Sequence, residues 1–185
     1  MTQPGGTNDD TGKAPEATLI SVILDRSGSM RSVCEPTISG FNEFLRTQQR
    51  QHDGGGALMS LTQFDDRYEV NFVGEPIENV PELDTHSYVP RGWTALFDAI
   101  GRTIHEVEAW MRAHGWHYRV LVLIVTDGQE NASKEYGFEA VRAFGQHLRI
   151  SWRTRSSRRK SSPRTSGRSL SGHLHFERYL TPSCR

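Results

Sequence analysis

Apolar runs alternate with amphipathic stretches through the middle of the chain. Two runs rich in β-branched residues, at 18–24 and 119–125, each lead directly into an acidic turn. Continuous apolar runs of this length are typical of buried parallel strands. Two further apolar segments, 57–64 and 68–73, flank the polar residues 65–67 and predict a β-hairpin with a short turn.

Apolar positions at helical spacing predict three helices, over residues 38–51, 94–115 and 134–149. The predicted order is strand, helix, strand, strand, helix, strand, helix. It indicates a three-layer, Rossmann-like α/β fold with a mostly parallel central sheet, an antiparallel edge hairpin and helices on both faces.

Charge is distributed unevenly along the 185 residues, although 22 Lys and Arg balance 22 Asp and Glu. Residues 1–150 hold 13 basic and 21 acidic residues, whereas residues 151–185 hold 9 and 1. The last segment is rich in Ser and Arg and has no helical or strand period. We therefore predict a disordered segment at 1–16, an α/β domain at 17–149 and a basic, disordered tail at 150–185.

Composition excludes several classes of protein. The chain has no run of about 18 apolar residues, so no membrane-spanning helix is expected. Its two cysteines lie far apart in sequence, which argues against a disulfide framework or a cysteine-rich zinc site. Since the first residues lack the basic and apolar regions of a secretory signal, we expect a cytoplasmic protein.

Three predicted loops carry oxygen-bearing side chains. They are the turn Asp25-Arg26-Ser27-Gly28-Ser29, the turn Thr126-Asp127-Gly128 and the loop Gly92-Trp93-Thr94. In an open α/β sheet, ligands bind beyond the carboxyl ends of the strands where the winding direction changes. Two carboxylates brought together there repel each other unless a cation lies between them. Oxygen donors without His or Cys suit Mg²⁺ or Mn²⁺, so we predict a metal site formed by Asp25, Ser27, Ser29, Thr94 and Asp127.

The same residues carry a family resemblance. An Asp-x-Ser-x-Ser turn after a strand, followed by a later Thr and a Thr-Asp-Gly turn, resembles the metal-ion-dependent adhesion site (MIDAS) of von Willebrand factor A (VWA) domains. The resemblance covers residues 17–149, and DRSGSM, RGWTALFDAIG and VTDGQENAS look like small intracellular bacterial members.

The resemblance implies a role for each of these residues. Ser27, Ser29 and Thr94 would contact the ion directly, and Asp25 and Asp127 would act mostly through water. A Glu or Asp from a protein partner would complete the coordination. The expected function is therefore Mg²⁺-dependent protein binding, with no enzymatic activity.

The chain departs from the family after the third predicted helix. VWA domains continue there with further strands, whereas residues 151–172 contain no apolar strand pattern and 173–180 only a weak one. We therefore expect the C-terminal strands to be missing and the strand before Asp127 to lack its outer neighbour. A shifted reading frame or a truncation near residue 150 would explain the change. A natural basic tail is the alternative.

Several neighbouring residues admit more than one interpretation. Arg26 and Trp93 are expected to be exposed beside the site and to contact a partner. Glu130 and Asn131 either line the same surface or form a polar loop. Thr94 is also a candidate helix N-cap. Asp98 either supports the site or is a solvated helix residue.

Two other functions stay open. Asp residues at strand ends can support a metal-assisted phosphohydrolase, although no phosphate-binding GxxxxGK[ST] loop is present. The arginine-rich tail can attract nucleic acid through phosphate charge, and we expect only weak, non-specific binding there.

Overall fold

The computed structural model has an α/β fold built on one mixed sheet. Its strands are β1 (Ala17–Asp25), β2 (Ala57–Phe64), β3 (Tyr68–Pro76), β4 (Tyr118–Val125), β5 (Ile150–Arg153) and β6 (His173–Tyr179). Its helices are α1 (Cys34–Gln51), α2 (Leu96–His114) and α3 (Phe138–His147), with short 3₁₀ helices at Gly28–Val33 and Ile77–Asn79. The structure describes residues 17–52, 56–114, 118–127, 129–147, 150–153 and 173–179. The predicted N-terminal segment 1–16 and most of the predicted tail lie outside these residues.

The strand order β3-β2-β1-β4-β6-β5 places β1 and β4 at the centre of the sheet. β1 runs parallel to both β2 and β4, while β2 and β3 form the antiparallel hairpin that the sequence predicts. The chain moves from β1 to β2 on one side and later returns to β4 on the other. The winding direction therefore changes between the carboxyl ends of β1 and β4.

Alternating side chains of the central strands fill two separate cores. Ile20, Val22 and Leu24 pack on one face with Phe41 and Leu45 of α1. On the other face, side chains of β1 and β4 pack against α2 and Val141 of α3. Both central strands are thus covered on two sides, which explains why their sequences are continuously apolar. The prediction of helices on both faces is confirmed.

Beyond β4 the sheet continues, and this corrects one expectation. β6 pairs antiparallel with β4 from Arg119 opposite Tyr179 to Ile124 opposite Leu174, and β5 pairs antiparallel with β6. The prediction that β4 lacks an outer neighbour, with the C-terminal strands missing, is therefore wrong. Main-chain pairing does not require the apolar period for which we searched in the tail sequence.

All three helices begin at positions different from those predicted, and the two largest differences, at α1 and α3, have identifiable reasons. α1 starts at Cys34 because the 3₁₀ helix Gly28–Val33 continues straight into it, and Pro36 lies in the first turn, where no backbone donor is needed. α3 starts only at Phe138 because the backbone N–H groups of residues 134–136 bind the carboxylate of Asp98. None of the helices in the described part of the chain has the length and apolar character needed to span a bilayer.

Two helical glycines provide a test of this packing. A Cβ built on Gly101 of α2 would lie 2.5 Å from the ring of Tyr136, whereas one on Gly40 of α1 meets nothing within 4 Å. Gly40→Ala should raise the free energy of unfolding by about 0.5–1 kcal/mol through helix propensity. Gly101→Ala gains the same term, but overpacking at Tyr136 costs roughly 1–3 kcal/mol, so it should destabilise. Urea denaturation measures both changes, and equal stabilisation by the two substitutions would contradict the close packing of α2 on Tyr136.

Candidate functional site

Two aspartates lie at the ends of neighbouring central strands. Asp25 is the last residue of β1, and Asp127 follows β4 by two residues. Leu24 pairs with Val125 across the parallel ladder, so the two carboxylates leave the sheet side by side at the point where the winding changes. The two strands are therefore neighbours, which is the condition under which both carboxylates can belong to one site.

Asp25 is fully buried; two loop groups bind its carboxylate and a third binds its backbone carbonyl. Its Oδ1 accepts the backbone N–H of Ser27 at 2.7 Å, and its Oδ2 accepts the hydroxyl of Thr126 at 2.5 Å. Tyr88 donates its hydroxyl to the Asp25 carbonyl at 2.6 Å. Burial raises the pKa of the Asp25 carboxyl above its ordinary value, and the charge of Asp127 acts in the same direction against these hydrogen bonds.

A chain of hydroxyl groups leads from this buried position to solvent. Ser27 Oγ lies 3.0 Å from Ser29 Oγ, and Ser29 Oγ donates to Asp127 Oδ1 at 3.0 Å. Ser27 is buried, Asp127 is half-buried and Ser29 is exposed. Ser27, Ser29 and Asp127 therefore form a connected series of contacts, and Ser29, in the middle, is open to an incoming group.

Thr94 lies in a third loop that is bonded to the other two. Its side chain is buried, and its backbone N–H donates to Asn131 Oδ1 at 2.9 Å. The N–H of Asn131 in turn donates to the Thr94 carbonyl at 3.0 Å. Gly92, two residues earlier, accepts the N–H of Gly28 at 3.1 Å. The structure thus brings the loops of all five predicted residues together.

The alternative role of Thr94 as a helix N-cap receives no support from the first turn of α2. Helix α2 begins at Leu96, two residues after Thr94. The N–H of Phe97 donates to Glu130 Oε2 at 3.0 Å, and that of Asp98 donates to Ser133 Oγ at 3.1 Å. These amides are therefore capped by the loop after β4.

Glu130 and Asn131 fasten this loop to α2. Glu130 Oε1 accepts the N–H of Ala132 at 2.9 Å and that of Ser133 at 2.7 Å, while its Oε2 accepts the first-turn amide of α2. Asn131 binds Thr94 through both its side chain and its backbone. Of the two interpretations left open, these contacts favour the polar loop for both residues.

The prediction that Arg26 is exposed is wrong. Its Nε donates to Asp65 at 3.2 Å and its Nη2 to Glu69 at 2.7 Å, so the guanidinium is drawn into the protein. Only 6% of the residue is accessible to solvent. Trp93, by contrast, is 68% exposed, so the prediction of its exposure is confirmed.

Asp98 is not a solvated helix residue. It is buried on α2, and its two oxygens accept the backbone N–H groups of Lys134, Glu135 and Tyr136 at 2.8, 2.9 and 2.8 Å. Burial raises the pKa of Asp98, but these three donors and Arg102 outweigh it, and the pKa lies below its ordinary value of 3.8. This carboxylate anchors the segment between the site loop and α3.

Sequence reasoning missed two residues that support the site. Asp65 appeared only as part of the hairpin turn, yet its carboxylate is fully buried between Arg26 and Arg91. Tyr88 appeared only in a proline-rich loop, yet its hydroxyl binds Asp25. The sequence contained only weak signals of the contact between Arg26 and Asp65, namely the Asp-Asp-Arg turn at 65–67 and the Asp-Arg pair at 25–26. No spacing rule connects positions 39 residues apart.

The only atoms that this arrangement offers to a metal ion are hydroxyl and carboxylate oxygens. In the part of the chain that the structure describes, no three His, Cys, Asp or Glu side chains gather as a metal site. Serine and threonine hydroxyls must therefore supply part of any coordination. Neighbouring ligands of octahedral Mg²⁺ lie about 3 Å apart, because each oxygen is about 2.1 Å from the ion. The two 3.0 Å spacings around Ser29 fit that geometry, and they are also normal hydrogen bonds.

Comparison with known proteins adds no assignment at this point. No protein-family model matches the chain, and no similar sequence was found among curated proteins. The resemblance to VWA domains therefore stays a prediction from the motifs themselves.

Replacing Asp98 tests its role in the loop after β4. Asp98→Asn keeps the shape but turns one acceptor into a donor facing a backbone N–H. We expect it to lower the free energy of unfolding by about 1–3 kcal/mol at neutral pH. Since the folded pKa is lowered, the contribution of Asp98 is present above 3.8 and is lost as the pH falls through the folded value.

Urea denaturation across this pH range measures the effect. The difference between wild type and Asp98→Asn should shrink in acid, while Glu139→Gln, at an exposed position of α3, should change stability by less than about 0.5 kcal/mol throughout. A difference that does not depend on pH would show that the charge of Asp98 is not what holds the loop.

Proposed function

We propose that this protein is a Mg²⁺-dependent protein-binding module whose site corresponds to the MIDAS of VWA domains. In this proposal five side chains hold the ion: Asp25, Ser27, Ser29, Thr94 and Asp127. The observation that carries the proposal is the contact of Ser27, Ser29 and Asp127 at 3.0 Å spacings, at the point where the sheet changes its winding direction. Mn²⁺ has the same preference for oxygen and would serve equally.

The charge of the donor set supports a binding role. It contains only two carboxylates, and both oxygens of Asp25 already accept hydrogen bonds from Ser27 and Thr126. In this proposal Asp25 and Asp127 act mostly through water, so a divalent ion keeps part of its positive charge, because its direct donors are the neutral hydroxyls of Ser27, Ser29 and Thr94. A carboxylate from a Glu or Asp of another protein would neutralise it. Ser29 is exposed, so such a group can approach from its side.

The surface around Ser29 suits a protein partner. Trp93 is 68% exposed and Val89 52% exposed on the loop that leads to Thr94. Arg31 is exposed on the adjacent 3₁₀ helix and reaches the carbonyl of Pro90 at 3.4 Å. Exposed Trp and Arg side chains are typical of binding hot spots. The proposed contact surface therefore includes Trp93 and Arg31, and Arg26 supports it from within. We place this interaction in the cytoplasm.

Metal binding is tested by stability measurements with and without the ion. At a Mg²⁺ concentration of about 100 times Kd, the wild type should gain about 2.7 kcal/mol relative to EDTA. Asp25→Asn should lose this gain, because it removes a charge from the site. Without metal it should be at least as stable as the wild type, since it also removes a buried charge and its repulsion from Asp127.

Glu43→Gln is the matched control for this experiment. Glu43 is exposed on α1, and its loss should leave the response to Mg²⁺ unchanged. A wild-type melting temperature that is the same in EDTA and in Mg²⁺, or an equal gain in Asp25→Asn, would refute the proposed metal site.

Trp93→Ala tests the contact surface separately from the metal. Because the indole is mostly exposed, the variant should keep its stabilisation by Mg²⁺. Its affinity for a partner captured in Mg²⁺ by the wild type, and released by EDTA, should fall by about 30-fold or more, as for a central Trp in an interface. Val73→Ala, at an exposed apolar residue of β3, should bind normally. Unchanged affinity of Trp93→Ala, measured by calorimetry, would place the interface elsewhere.

A further inference from the structure

The buried carboxylate of Asp65 joins two of the loops that form the site. Asp65 lies in the turn between β2 and β3 and is fully buried. Its Oδ2 accepts Arg26 Nε at 3.2 Å and Arg91 Nε at 2.8 Å, and its Oδ1 accepts the N–H of Arg67 at 2.7 Å. One side chain therefore fixes its own turn and binds guanidinium groups from two other loops.

Two contacts of Asp65 involve residues that are adjacent in sequence to proposed metal donors, namely Arg26 and Ala95. Arg26 directly follows Asp25 and directly precedes Ser27. The carbonyl of Asp65 accepts the N–H of Ala95 at 3.0 Å, and Ala95 directly follows Thr94. In each of two loops, Asp65 thus contacts a residue that is adjacent in sequence to a proposed metal donor.

Backbone bonds between the same loops make the connection rigid. The N–H of Arg26 donates to the Phe64 carbonyl at 2.8 Å, and the Arg26 carbonyl accepts the N–H of Arg91 at 2.7 Å. The guanidinium of Arg26 also reaches Glu69 at 2.7 Å. Two arginines and two carboxylates therefore balance in charge, so the buried pair of Arg26 and Asp65 is compensated.

We propose that Asp65 is a positioning residue that sets the spacing of the metal donors and thereby favours Mg²⁺ over Ca²⁺. This inference rests on the proposed metal site. Mg²⁺ requires near-octahedral oxygens at about 2.1 Å, whereas Ca²⁺ accepts longer distances of about 2.3–2.6 Å and irregular geometry. Loops held by a rigid connection favour the smaller ion, and loops released from it lose that preference.

Asp65→Asn tests the inference through the ratio of two affinities. Isothermal titration of the full chain with Mg²⁺ alone and with Ca²⁺ alone gives both dissociation constants. Residues that orient metal ligands typically change affinity by about 10–100-fold. We expect Mg²⁺ affinity to fall by about tenfold or more and Ca²⁺ affinity to fall much less. The preference for Mg²⁺ should therefore fall several-fold, an effect that loss of fold stability alone would not produce.

Two control variants separate positioning from charge and from stability. Glu69→Gln removes a negative charge from the same cluster but leaves Asp65 bound to Arg26 and Arg91, and Glu69 is about half exposed (52%). Val107→Ala weakens the core along α2 without touching these loops. Both should keep the wild-type ratio of Mg²⁺ to Ca²⁺ affinity. A fall in Glu69→Gln equal to that in Asp65→Asn would attribute the effect to net charge and overturn the inference.

Arg91→Gln provides a second test if Asp65→Asn does not fold. The Arg91 side chain is 48% exposed, and its loss removes only the side-chain contact between the Asp65 carboxylate and the loop that leads to Thr94. In this variant the preference for Mg²⁺ over Ca²⁺ should also fall, but by less than in Asp65→Asn. An unchanged ratio in every folded variant of Asp65 or Arg91 would overturn the positioning role while leaving the metal site intact. Failure of the wild type to bind Mg²⁺ would instead refute the proposed function, and the present inference with it.

Discussion

The structure depends on how it holds a fully buried carboxylate at the end of its central strand. Asp25 leaves β1 beside Asp127, so burial and repulsion both disfavour its charge. The carboxylate accepts one hydrogen bond from a local donor, the N–H of Ser27, and one from a distant part of the chain, the hydroxyl of Thr126. A cation at the exposed side of this pair would remove the remaining repulsion. The fold therefore creates a place where positive charge is favourable.

The loops around this position are built by acidic side chains that accept backbone N–H groups. Asp65 binds the turn after β2, Asp98 binds the segment before α3, and Glu130 binds the first turn of α2. Each carboxylate replaces a hydrogen bond that regular secondary structure would otherwise provide. These bonds give irregular loops defined positions, which the proposed set of metal donors from three loops would require.

The sequence predicts the central strands well because strands that are buried on both faces have continuously apolar sequences. The run at 18–24 lies within β1, and the predicted metal donors at its end lie where the topology rule expects a site. Helix starts and side-chain exposure are harder to predict, since they depend on partners that are distant in sequence. Arg26 is buried because Asp65, 39 residues away, binds it, and α3 starts late because Asp98 takes its preceding amides. The strand β6 coincides with the weak pattern at 173–180, which was not counted as a strand of the sheet because its pairing with β4 uses backbone groups and does not require a strong apolar pattern.

β6 lies at the outer edge of β4 and contributes none of the candidate site residues described above. β6 covers the outer edge of β4, where an open apolar strand would otherwise pair with other chains. All the donors and supports of the candidate site described above lie between Asp25 and Tyr136, on the other strands and loops. The unusual composition of the last segment therefore bears on the edge of the sheet, while the chemistry at the ends of β1 and β4 rests on contacts within the preceding part of the chain.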